Sequence, residues 1–178
     1  MPSTFPITKS KIETVTKIPN FDTIIINYGN KAEQRISNLA TPRFGFKLKL
    51  IEPIEDAIMV QITDFFIARK GSYESFYFQN PEEAYRKTKW LANTAYIVGD
   101  IVRPTTPTGR AYKCTVAGTS GSSQPSWPTT VNGTVADSGV TWTENTYRVR
   151  FAINAMNIDY FKYSIYDLGE ISFIEVTS

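Results

Sequence analysis

TKWLANTAYIVGDIVRP, residues 88–104, opens a stretch that closes on GVTWTE, residues 139–144, and its composition differs from everything around it. Its fifty-seven residues hold twelve Thr, six Gly and four Pro, with few charges, whereas the flanking segments are rich in Lys, Glu, Ile and Phe. So abrupt a shift, between two strand-like regions, marks a small domain inserted into a host domain. The predicted division is a frame made of residues 1–87 and 145–178, with residues 88–144 as the insert.

The 178 residues suffice for one domain plus such an insert. With 42% apolar and 13% aromatic residues, the chain belongs with folded, strand-forming proteins. A net charge of +2 without Lys/Arg runs gives no electrostatic footprint for specific nucleic-acid binding. The lack of His and the single Cys114 exclude His-based acid–base catalysis, Cys/His zinc sites and disulfide frameworks. No cofactor or metal is expected. MPSTFPITKSK (1–11) lacks the apolar core of a signal peptide, and no segment approaches the roughly 20 apolar residues of a membrane span. Cytoplasmic synthesis without membrane insertion is therefore expected.

Outward from the insert, RFGFKLKLI (43–51) alternates Phe44, Phe46, Leu48 and Leu50 with Gly45, Lys47 and Lys49, the pattern of a half-buried strand. TYRVRFAINAM (146–156) alternates likewise, with Tyr147, Val149, Phe151 and Ile153 predicted inward and Arg148 and Arg150 outward. FDTIIINYGNK (21–31) carries three consecutive Ile, a run that predicts burial on both faces. AEQRISNLATP (32–42) reads as a connection or edge strand. PIEDAIMVQITDFFIARK (53–70) predicts a helix, with Pro53 at its first position, Glu55 and Asp56 near its start, Arg69 and Lys70 near its end, and Gly71 as its stop. Ile54, Ile58, Ile62, Phe65 and Phe66 supply its apolar face. SYESFYFQNP (72–81) reads as a strand, and YFKYSIYDLGEISFIEV (160–176) as a hairpin turning at Asp167–Gly169. The predicted class is mainly β: a β-sandwich frame with one helix, plus a small all-β insert.

INYGNKAEQRIS (26–37), the alternating strand, and IEDAIMVQITDFFIARKGSYESFYFQNP (54–81) together resemble the phage minor tail proteins of the lambda M type and related distal tail proteins. The matching positions are Gly29, Gln34, Arg35, Gly71, Ser75, Phe76 and Pro81. This resemblance implies a structural, non-enzymatic virion protein whose sandwich forms a ring, hexameric in the family, joining the tail tube protein to baseplate hub or tail-tip proteins. Arg35, Lys47, Lys49, Arg148 and Arg150 are the candidate ring contacts, although solvated strand faces have the same appearance.

Within the insert, WLANTAYIVGDIVRP and GRAYKCT resemble the start of small carbohydrate-binding modules through Trp90, Tyr96, Gly99, Asp100 and Tyr112. With Trp127 and Trp142, these rings are candidates for stacking on host-surface polysaccharide. A domain of this size also needs large residues for its core. Trp90, Tyr96, Tyr112 and Trp142, beside strand-like segments, are therefore expected mainly inside. Trp127, between Pro125 and Pro128 in a Ser/Gly-rich loop, is the candidate exposed platform. Asp100 in its VGDIV turn is expected to bind local amides, and no pair of carboxylates marks a glycosidase. The alternative reading is a glycan-binding adhesin in which the frame is a carrier.

Overall fold

The computed structural model describes residues 3–29, 31–160 and 166–176. The first part of the frame contributes β1 (Ile12–Asn20), β2 (Thr23–Asn27), β3 (Glu33–Ser37), β4 (Arg43–Leu50), α1 (Asp56–Ala68), β5 (Phe76–Phe78) and α2 (Pro81–Arg86). The insert follows with β6 (Thr88–Lys89), β7 (Ala95–Tyr96), β8 (Ile101–Arg103), β9 (Tyr112–Val116), β10 (Gly118–Thr119), β11 (Thr134–Asp137) and β12 (Val140–Glu144). The chain returns to the frame as β13 (Tyr147–Phe151), β14 (Asp159–Tyr160), β15 (Tyr166–Asp167) and β16 (Glu170–Glu175). The fold is mainly β, as its alternating strands predict.

Strands from both sides of the insert build one five-stranded sheet, in the order β1-β4-β16-β13-β5, with antiparallel neighbours throughout. Its alternation sends Phe46, Leu48, Leu50, Val149, Phe151, Ile171, Phe173, Phe76 and Phe78 to one buried face. Met59 and Ile62 of α1, with Ile58, Phe65 and Phe66, close over that face. Phe76 is fully buried, with ring centroids 5.0 Å from Phe65 and Phe151 and 5.1 Å from Phe173. Edge-to-face contacts of this kind add to the burial of large apolar rings. Phe5 enters the same core because Ser3–Phe5 runs along β5, with Phe5 N–H donating to Tyr77 O and Tyr77 N–H to Ser3 O, both at 2.9 Å.

Five expectations need correction. The helix begins at Asp56 rather than Pro53, because Ile54 is drawn into the core at 4% exposure and Glu55 is the extended N-cap. The strand expected over 72–81 is confined to Phe76–Phe78. Residues before it turn through Lys70 and Gly71, both in the left-handed region, and Asn80 starts α2 by accepting the Glu82 N–H at 3.0 Å. Ile153 lies beyond the end of β13 and is exposed. Of the hairpin expected at Asp167–Gly169, the described residues are paired otherwise: β15 with β14, and β16 with β4 and β13. Residues 161–165 of that expected hairpin lie outside the described residues. The Ile24–Ile26 run, finally, is exposed on both faces.

The insert has its own sheet, β11-β12-β9-β8-β6, antiparallel except for the β6–β8 pair. Its own core holds Trp90, Val102, Tyr112, Cys114, Val140 and Trp142.

Candidate functional site

Among the described residues β2 and β3 pair only with each other, so the two strands stand apart from the frame sheet as a separate two-stranded arm. Their register sets Ile24 opposite Ile36, Ile25 opposite Arg35 and Ile26 opposite Gln34. Alternation then places Ile24, Ile26, Ile36 and Gln34 on one face, and Ile25, Glu33 and Arg35 on the other. All ten ladder residues are exposed; Ile24, Ile26 and Ile36 retain 46%, 38% and 40% of their surface. At the base of the arm, Asn38 N–H donates to Asp22 O at 2.8 Å and Asn38 Nδ2 to Asp22 Oδ2 at 3.0 Å. Nearer the tip, Tyr28 Oη donates to Gln34 Oε1 at 2.7 Å.

This arm is costly for an isolated chain. Two-stranded hairpins are marginal in water without a covered face. Complete burial of an Ile side chain is worth about 1.5–3 kcal/mol, and these three have roughly half of that still to gain. An edge strand with a β-branched apolar face is also a ready template for association. The chemistry the arm offers is thus apolar docking rather than catalysis.

The five basic residues expected at a ring contact all have partners within the chain. Arg35 forks onto Glu33 of the same strand, with Nε donating to Oε1 at 2.7 Å and Nη2 to Oε2 at 3.3 Å. Lys47 pairs with Glu170 at 2.7 Å and Lys49 with Glu13 at 3.1 Å. Arg148 Nε donates to Ser75 Oγ and Arg150 Nη1 to Phe151 O, each at 3.0 Å. Lys47, Lys49, Arg148 and Arg150 share the outer face of the frame sheet, whereas Arg35 lies on the arm. Exposed pairs of this type contribute little to stability. They leave the apolar arm face, which sequence reasoning assigned to the interior, as the stronger docking surface.

The insert aromatics converge on a core. Trp90, Tyr112 and Trp142 are buried, and Tyr96 packs against Trp142 with its ring centroid 4.8 Å away. Trp127, expected on the surface, stacks on Tyr112 at 4.3 Å with planes 26° apart and meets Trp142 edge-on at 6.0 Å. Trp127, between Pro125 and Pro128, is thus half-buried, with one ring face against Tyr112 rather than standing clear of the insert. Asp137, buried at 4% exposure, organises the cluster: its Oδ2 accepts the indole N–H of Trp90 at 2.8 Å and of Trp142 at 3.0 Å, while Oδ1 accepts Gly121 N–H at 2.9 Å. Asp100 accepts Ile97 N–H at 2.9 Å, the local turn bond its setting predicts. Burial pushes the Cys114 thiol up, and the nearby Asp100 adds to the effect.

Among the described residues, no three His, Cys, Asp or Glu side chains gather as a metal site, and no helix is long and apolar enough to cross a membrane. No known protein-family model matches the chain, and no curated protein matches it.

Proposed function

We propose that this chain is a structural component of a phage tail end, a distal tail-type protein that associates with copies of itself into a ring. In this reading the frame forms the ring, six copies being the family number, and joins the tail tube protein to baseplate hub or tail-tip proteins. The insert is an accessory module on that ring. The observation that carries the reading is the β2–β3 arm, whose exposed Ile24, Ile26 and Ile36 need a covering surface from another molecule. The arm also contains Gln34 and Arg35, two of the positions on which the resemblance to tail proteins rests.

The role is non-enzymatic. Asp137 is committed to two indoles and a backbone amide, and Glu144 to Arg110, Gln79 and the Asn132 amide. Host-glycan binding as the main function has less support, because Trp90, Tyr112 and Trp142 are buried and Trp127 packs one ring face on Tyr112.

Light scattering after size exclusion, with negative-stain imaging, tests the proposal. The full chain is expected as closed rings of several copies. A protein that stays monomeric at high concentration overturns the ring.

A further inference from the structure

The insert is joined to the frame by an incoming and an outgoing connection, and a buried carboxylate sits beside each. Glu83, on α2 just before the insert, is 7% exposed. It accepts hydrogen bonds from Lys17 Nζ of β1 at 2.8 Å, from Tyr147 Oη of β13 at 3.0 Å to either oxygen, and from Asn145 Nδ2 of the outgoing connection at 2.5 Å. Glu144, the last residue of β12, is 3% exposed. It pairs with Arg110 of the insert, accepts Gln79 Nε2 of the frame at 2.6 Å, and accepts the Asn132 amide at 3.1 Å.

The two clusters are interleaved. A frame carboxylate grips the outgoing connection, while an insert carboxylate is gripped by a frame amide. A buried carboxylate deprived of its partners bears a large desolvation penalty. Tilting the insert would withdraw Asn145 from Glu83 and Gln79 from Glu144 together. Both attachments meet the adjacent residues Glu144 and Asn145 of the outgoing connection, and on the incoming connection Arg103 Nε of the insert donates to Lys87 O at 3.0 Å, so both connections are held against swing and twist. On the outgoing side the backbone adds a bond from Asn145 N–H to Ala111 O at 2.8 Å.

We propose that Glu83 and Glu144 clamp the outgoing connection and, together with the Arg103–Lys87 bond on the incoming one, fix the insert in one orientation on the frame, making it a rigid extension rather than a tethered head. The clamp is a property of the single chain and stands apart from the ring reading.

Paired nitroxide labels at Thr16→Cys on β1 and Ser123→Cys in the insert test it, since both positions are exposed and the native Cys114 is buried. Labelled protein is diluted into an excess of unlabelled protein, so that pulsed dipolar spectroscopy reads the intramolecular distance alone. The otherwise native chain is expected to give one narrow distance peak, which E83Q/E144Q broadens at least twofold while the circular dichroism spectrum is unchanged. Should that double variant misfold, Q79A/Y147F removes one partner from each carboxylate and is expected to broaden the peak less. A broad or multiple distribution in the otherwise native chain overturns the clamp, as does an unbroadened peak in a folded variant.

Discussion

Trp127 lies flat against Tyr112, 4.3 Å between ring centroids, and so closes the insert core from the side of a Ser/Gly-rich loop. All three Trp of the chain sit in this one cluster, so selectively excited tryptophan emission reports the insert alone. Trp127→Ala is expected to destabilise the insert by about 2–4 kcal/mol, at or below the usual cost of a large-to-small core change because the ring is only partly buried. Trp127→Phe should cost less, since the indole N–H finds no acceptor among the described residues. Urea unfolding followed by tryptophan emission measures both; an unchanged midpoint for the Ala variant would place the ring outside the core.

Asp137→Ala strands two buried indole N–H groups. Each unsatisfied donor costs about 1–3 kcal/mol, so a loss of roughly 2–6 kcal/mol is expected. Asp137→Asn keeps one acceptor oxygen and should fall between the native chain and the Ala variant in the same assay.

Ile24→Glu combined with Ile36→Glu puts like charges on opposing residues of the arm face. Because both side chains are exposed, folding stability should change by only about 0.5–1 kcal/mol, while self-association is lost. Sedimentation velocity of the variant beside the native chain checks this. A variant that associates as strongly as the native protein contradicts the arm's role.

Burial, with the Glu83 carboxylate close by, holds the Tyr147 phenol well above its ordinary value of about 10. The folded state therefore keeps the Tyr147 proton where the unfolded chain has released it. The resulting stabilisation is complete below pH of about 10 and is lost progressively as pH rises beyond that value. Tyr147→Phe is expected to flatten the fall in stability above pH 10. Denaturant midpoints measured across pH 8–11 for both proteins give the comparison.

The Cys114 thiol is buried in the insert core and shifted upward. It should react with a disulfide reagent at pH 8 only as the insert opens, at least a hundredfold more slowly than in denaturant. Fast labelling of the native protein would contradict that packing.

Alternation in RFGFKLKLI and TYRVRF was enough to place Phe46, Leu48, Val149 and Phe151 inside, because one covered face imposes a period of two. End signals likewise marked the centre of α1, and the shift in composition coincides with a second sheet that has a core of its own. The Ile24–Ile26 run was misread because β-branched residues suit a ladder whether its faces are covered or bare; only the tertiary arrangement distinguishes them. The signal for α2 was present in Asn80, Pro81, Glu82 and Glu83, a capping residue followed by Pro and acids, but six residues are too few for helical periodicity to show. Asp137 could not be recognised locally, since Trp90, one of its two indole partners, is distant in sequence and is brought to it only by the folded sheet.

β5 and β13 are direct neighbours, with Phe78 opposite Tyr147, so the two strands that bracket the insert already form a hydrogen-bonded pair. Residues 79–146, α2 of the frame and the insert together, thus span the loop of an antiparallel hairpin, one long enough to have acquired a core of its own. The frame sheet supplies a socket whose two contacts are adjacent whatever is plugged between them. A module of other size or chemistry could occupy that socket without moving a strand of the frame, which separates what the chain builds from what it displays.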